Sequence, residues 1–156
     1  MPKSHRNRQS DEGSFTLVEL MVVILIVGIV AAIGIPTYLG SRTRGQNDEA
    51  KVSLRIGLTA ANVLFSSSKD YSTADQAGMT AAESGLTYIA GNASSTGPKM
   101  LSVEVTPVSW TAAAMSESGT CYYIRTTAEG TVTHQNSDGS KGCKALDGVT
   151  ASSANW

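Results

Sequence analysis

One long apolar run dominates the pattern of this chain. From Leu20 to Leu39 it is built of Leu, Met, Val, Ile, Ala and Gly, with Pro36, Thr37 and Tyr38 near the end. At about 1.5 Å per residue, a helix of roughly 20 residues covers the ~30 Å hydrocarbon core of a bilayer. One acid, Glu19, stands at the head of the run. A carboxylate there costs on the order of a few kcal/mol in hydrocarbon, so a functional partner is the default reading. The alternative is an acid that snorkels to the interface with no partner. Before the run lies a polar leader, MPKSHRNRQSDEG, with Lys3, Arg6 and Arg8. The positive-inside tendency keeps such a leader cytoplasmic and sends the rest of the chain outward. An ordinary secretory signal, cleaved after the apolar stretch, is the competing reading. Asp11, Glu12 and Glu19 weigh against it, and so does a helical pattern that continues past the run.

Residues 41–66 keep a helical period. Val52, Ile56, Thr59 and Val63 fall on one stripe, with Leu54, Leu58, Ala61 and Phe65 beside it. Arg42, Arg44, Gln46, Asp48, Lys51 and Arg55 take much of the remainder. This predicts one helix from about Phe15 to Phe65, kinked at Pro36, whose ring removes a backbone donor. Gly34 and Gly40 loosen the same neighbourhood, and Ser66 to Asp70 end the helix. Residues 67–100 read as a connection, with a short helix over Ala74 to Glu83 and loop through SGLTYIAGNASSTGPK. From Leu101 the period becomes two: Leu101, Val103 and Val105 alternate with Ser102, Glu104 and Thr106. Ser109 to Met115, Cys121 to Thr126 and Gly130 to His134 follow, separated by Gly-rich turns. The expected fold class is α+β. The second half of a long N-terminal helix packs its stripe on three or four antiparallel strands.

Composition narrows the function. The formal net charge is −1, which gives no bulk footprint for nucleic acid or acidic substrates. Two cysteines, Cys121 and Cys143, lie near the C-terminus. In an exported domain an isolated pair reads as one disulfide, against the alternative of two free thiols. Closing such a loop stabilises by about 3 kcal/mol by chain entropy. His5 and His134 stand apart, and zinc sites need several clustered ligands, so no metal is expected. HQNSDGSKG reads as a hairpin turn, with too few acids for a calcium loop. No nucleophile elbow or phosphate loop is present, so neither catalysis nor a cofactor is expected. Trp110, Tyr122 and Tyr123 are read as core rather than as an adhesive surface. The triplet Asn92-Ala93-Ser94 leaves glycosylation open.

The run Phe15-Thr16-Leu17-Val18-Glu19-Leu20, with Pro36 placed 21 residues after Phe15, resembles the type IV pilin family, pseudopilins included. The likeness is strong over residues 13–65 and loose afterwards. TCYYIR and the closing Cys and Trp look like Gram-positive, actinobacterial-type pilins. The family places Gly directly before Phe, whereas Ser14 here separates Gly13 from Phe15. Cleavage after Ser14 keeps the family spacings and cleavage after Gly13 keeps the preferred residue before the bond; the first is slightly favoured. The resemblance implies a leader over 1–14, a membrane and assembly helix over 15–39 and an amphipathic second half over 40–66. The extracellular head over 67–156 then carries the disulfide region. It also implies a prepilin peptidase that removes the leader and N-methylates Phe15, and an assembly site around Thr16, Leu17 and Glu19. The implied partners are copies of the chain itself, the assembly platform with its ATPase, and membrane lipid before assembly; no direct nucleic-acid partner is implied. The implied role is a structural subunit of an extracellular pilus. The alternatives are a pseudopilin or minor pilin of a secretion or DNA-uptake machine, or an anchored domain that does not polymerise.

Overall fold

The computed structural model describes residues 15–150 and Trp156. Its first element, α1, is the helix Leu17–Ser68. The chain divides into two compact units, Met1–Leu39 and Gly40–Trp156. In the described part of the first, α1 is bare: every large apolar side chain from Phe15 to Leu39 is between 48% and 79% exposed. Pro36 lies inside the helix. A proline there leaves the carbonyl of Ala32 without its usual backbone donor.

The second unit is α+β. After α1 come a 3₁₀ turn at Tyr71–Ala74, the short helix α2 (Gln76–Ala82), and strands β1 (Thr87–Ala90), β2 (Met100–Thr106), β3 (Ser109–Met115), β4 (Thr120–Thr127) and β5 (Val132–Asp138). The strands form one sheet in sequence order. The β2–β3, β3–β4 and β4–β5 pairs are antiparallel, with Leu101 opposite Ala114, Ala112 opposite Ile124, and Tyr122 opposite Asn136. The sequence pattern identified these four, although β5 runs beyond the expected Gly130–His134. Asp138 ends that strand and caps a 3₁₀ turn at Gly139–Lys141, so HQNSDGSKG is strand followed by turn, not a hairpin tip. The true hairpin turns hold Gly119 and Gly130, both with positive φ, which glycine adopts without strain.

The expected loop through SGLTYIAGNASSTGPK holds a strand instead: Thr87–Ala90 pairs parallel with β2, Tyr88 opposite Leu101. Its return loop is held by side chains. The Ser95 hydroxyl donates to the carbonyl of Met100 at 2.6 Å and accepts from the N–H of Met115 at 2.9 Å. Ser102 likewise donates to the carbonyl of Ala90 and accepts from the N–H of Ala145. Both serines are buried, and each satisfies backbone groups that burial would otherwise leave unpaired. The expected helix over Ala74 to Glu83 is shorter than read, α2 taking Gln76–Ala82 with Asp75 as its cap.

Of the face expected to pack, Leu54, Leu58, Ala61 and Phe65 do turn inward, whereas the stripe of Val52, Ile56 and Val63 does not. Ala50, Ser53, Leu54, Gly57, Ala60 and Ala61 face the sheet, and Leu58, Leu64 and Phe65 pack at its margin. Val52, Ile56 and Val63 point outward, at 50%, 41% and 63% exposure. Small side chains win the inner face because they let the helix come close. A Cβ on Gly57 would stand 2.8 Å from Leu101 and 3.3 Å from the Trp110 ring. Leu101, Val103, Trp110, Ala112, Ala114, Tyr122 and Ile124 complete this core, so Trp110 and Tyr122 are core residues. Tyr123 is buried too, but on the other face with Ala113, Cys121 and Cys143. There Cys121 and Cys143 form a disulfide across a separation of 22 residues. The α1 C-terminus turns at Lys69, a non-glycine residue at φ 60.

Two outcomes follow from this packing. Gly57→Leu forces Leu101 and Trp110 aside and should destabilise the second unit by about 1–3 kcal/mol. Gly28→Leu, where a Cβ meets nothing within 4 Å, should leave it unchanged; denaturant titration in detergent compares the two. Cys121→Ser should lower stability by about 3 kcal/mol on chain entropy, and thiol mapping of the native protein should find no alkylatable cysteine.

Candidate assembly site

Thr16 sits just before α1 and acts as its cap. Its Oγ1 accepts the backbone N–H of Glu19 at 3.1 Å. The same hydroxyl donates to the Glu19 carboxylate at 3.5 Å. A threonine followed three residues later by glutamate is the capping-box spacing, and it serves donors that a helix start leaves unpaired. The T-x-x-E spacing is the sequence signal for this local role of Thr16. Glu19 lies in the first helical turn, where the helix dipole favours a negative charge. The carboxylate is therefore held at the N-terminal end of the helix, beside Phe15 and Leu17, which are 79% and 73% exposed. Gly13 and Ser14, the two residues on which the cleavage expectation rests, lie outside the described residues, as do the leader charges and His5.

Below that end the helix offers only apolar surface. Its most apolar 18-residue window has a mean hydropathy of 2.9 and no buried residue. By length and composition it can cross a membrane. An apolar surface this continuous is unfavourable in water and calls for lipid or another apolar surface against it. Around Pro36, the Thr37 hydroxyl donates to the carbonyl of Ile33 at 3.1 Å, a bond of the type that often bends a helix. Glycines at 28, 34 and 40 have open space where a Cβ would stand. Nothing within the chain explains them sterically, although each weakens the helix by about 1 kcal/mol relative to Ala.

Among the described residues no three His, Cys, Asp or Glu side chains cluster as metal ligands would. His134 packs edge-on against the Trp156 ring, centroids 4.3 Å apart. The Tyr88 phenol is pushed up to about 12, chiefly by burial and then by Glu83; a phenol kept neutral there is a core group, not a base. Sequence reasoning did not anticipate the structural place of Trp156, since a terminal aromatic carries no periodic signal.

Residues 10–35 match the family described as the prokaryotic N-terminal methylation motif. The matched stretch contains Phe15, Thr16, Leu17 and Glu19. The chain is 45% identical over 58 residues to the type IV major pilin protein PilA of Myxococcus xanthus, covering 37% of this chain and 26% of that protein. It is 37% identical over 81 residues to fimbrial protein Q of Moraxella bovis, covering 52% of each. It is 35% identical over 95 residues to the type IV major alpha-pilin of Moraxella bovis, covering 59% of this chain and 58% of that protein. The chain thus spans from 26% to 58% of the length of these relatives. They support the likeness to type IV pilins and give none to the finer likeness to Gram-positive, actinobacterial-type pilins. No solved structure matches the chain.

Proposed function

We propose that this chain is the structural subunit of an extracellular type IV pilus, made as a membrane-anchored precursor and polymerised through the first half of α1. One observation carries the reading: an uncovered apolar half-helix, headed by a single carboxylate, lies within the N-terminal methylation motif. The relatives named as major pilins support the same reading and do not favour a pseudopilin or minor pilin.

The physical sequence is simple. In the precursor the apolar half of α1 lies in lipid, with the leader on the cytoplasmic side and the head outside. A prepilin peptidase removes the leader after Ser14, or after Gly13, and methylates the new terminus. Methylation leaves that amine cationic. The amine of one subunit then meets Glu19 of the next. In a low-dielectric setting the pair attracts strongly, which offsets the desolvation of both charges. The pairing sets the axial position of each subunit on its neighbour. Apolar surface moves from lipid into a core of packed helices and never faces water. Pro36, with the glycines beside it, provides the place where the helix adjusts its path. The platform and ATPase supply the work of extraction.

Intact mass of the mature native protein tests the processing. Loss of residues 1–13 or 1–14 with one added methyl group is expected. A terminus near Ala31 or Ala32 would show an ordinary signal peptide and sink the proposal. Glu19→Ala tests assembly. The variant should insert at least as well, since a costly charge is gone from the bilayer, and the head should fold unchanged. Surface filaments counted by electron microscopy should be few or absent, with subunit accumulating in the membrane. Normal filament number at equal subunit level would instead show that Glu19 does not set assembly in this protein.

A further inference from the structure

Four side chains of the head converge on a cleft of about 500 Å³ beside α1: Lys51, Arg55, His134 and Trp156. Lys51 and Arg55 stand four residues apart on α1 and so share a face. His134 comes from β5, opposite Ile124. Trp156 is fixed against these strands, because its indole N–H donates to the carbonyls of Tyr123 at 3.1 Å and Gln135 at 3.0 Å. The Arg55 guanidinium lies 5.5 Å from the indole centroid, and the Lys51 ammonium 5.2 Å from the Tyr122 ring. Tyr122 meets the indole edge-on at 5.9 Å. The result is a pair of cations set beside an aromatic wall whose indole N–H is tied to the sheet.

The lining of the cleft carries two cations, Lys51 and Arg55, and no acid. Asp48 reaches Lys51 at 3.3 Å, but its side chain is 68% exposed. Exposed ion pairs of this kind contribute roughly 0–1 kcal/mol, so an incoming anion competes for Lys51 at little loss. Arg55 presents a planar fork suited to a carboxylate. The size falls within the range of small-ligand pockets, and the lining is mostly polar, with Trp156 as its aromatic member. A nucleic acid needs a longer basic track and bases free to stack. Here the cations are local and the chain's net charge is −1.

We propose that the cleft lined by Lys51, Arg55, His134 and Trp156 is a binding subsite for an acidic sugar, its carboxylate held by Lys51 and Arg55 and its ring resting against the Trp156 wall. The site lies wholly within the unit Gly40–Trp156 and does not depend on polymerisation.

Titration calorimetry of the full-length protein in detergent, with trigalacturonate as probe, tests this. Saturable binding in the millimolar range or tighter is expected, with none for the methyl ester of the same trisaccharide. Arg55→Gln and Lys51→Gln, both at the helix surface, should each weaken binding by about tenfold, the equivalent of one good charged contact. Trp156→Ala should abolish it, and unfolding transitions measured alongside show whether each variant keeps its fold. Lack of saturable binding, equal binding of the ester, or unchanged binding by folded Arg55→Gln overturns the proposal. Binding of inorganic phosphate or of a thymidine oligonucleotide in place of the trisaccharide overturns it too.

Discussion

The closeness of α1 to the sheet sets the terms for the rest of the head. Gly57 lets the helix backbone settle over Leu101 and Trp110. Ala50, Ala60 and Ala61 keep the same face narrow. On the sheet side, Ala112 and Ala114 of β3 leave room for it. Close packing of this kind forbids bulk at those positions, since interiors are filled to crystal-like density. Leu54 and Trp110 then fill what remains, and the β-branched residues of the helix are displaced outward. The opposite face of the sheet is closed by a different device: a C-terminal segment tied at Cys121–Cys143 and by Ser94 and Ser95.

The first half of α1 obeys the reverse rule. In the head, apolar side chains are covered by their own chain; from Phe15 to Leu39 they are not. A chain that leaves so much apolar surface bare is incomplete in water. The cover has to come from lipid or from other chains, and one segment suits both because each offers an apolar surface and neither asks for hydrogen bonds. Glu19 is the exception that gives the segment direction. Its local partner, the Thr16 hydroxyl, lies at 3.5 Å, a long contact that leaves the carboxylate most of its capacity to accept.

Legibility followed the strength of local patterns. The apolar run, Glu19 and Pro36 were plain because few other arrangements use a charge or a proline there. β2 was plain because Leu101, Val103 and Val105 alternate strictly, and β3 and β4 followed with the turns around them. The helix face was only half legible from hydrophobicity: Leu54, Leu58, Ala61 and Phe65 pack inward as their period suggests. Val52, Ile56 and Val63 look more apolar than Ala50, Gly57 and Ala60, but the inner face was chosen by size, a property of the opposing Trp110. β1 was missed because four residues, TYIA, carry too little period, and its pairing depends on buried Ser95 and Ser102. A serine that replaces a backbone partner looks like loop composition until its neighbours are known. Thr16 was read for its place in a motif while its capping geometry went unnoticed, although both readings use the same spacing to Glu19.

The aromatic residues divide along the same line as the two units. Trp110, Trp156, Tyr71, Tyr88, Tyr122 and Tyr123 all belong to the unit Gly40–Trp156, and from Phe15 to Leu39 the aromatics are Phe15 and Tyr38. Near-ultraviolet absorption, emission and circular dichroism of the intact chain therefore come almost wholly from the head. The peptide-bond signal, by contrast, carries both halves of α1. The two regions are optically separable without a label, so the head can be watched melting while the anchor stays folded in lipid. Trp110, buried, and Trp156, partly exposed, further split that signal into a core component and a surface one.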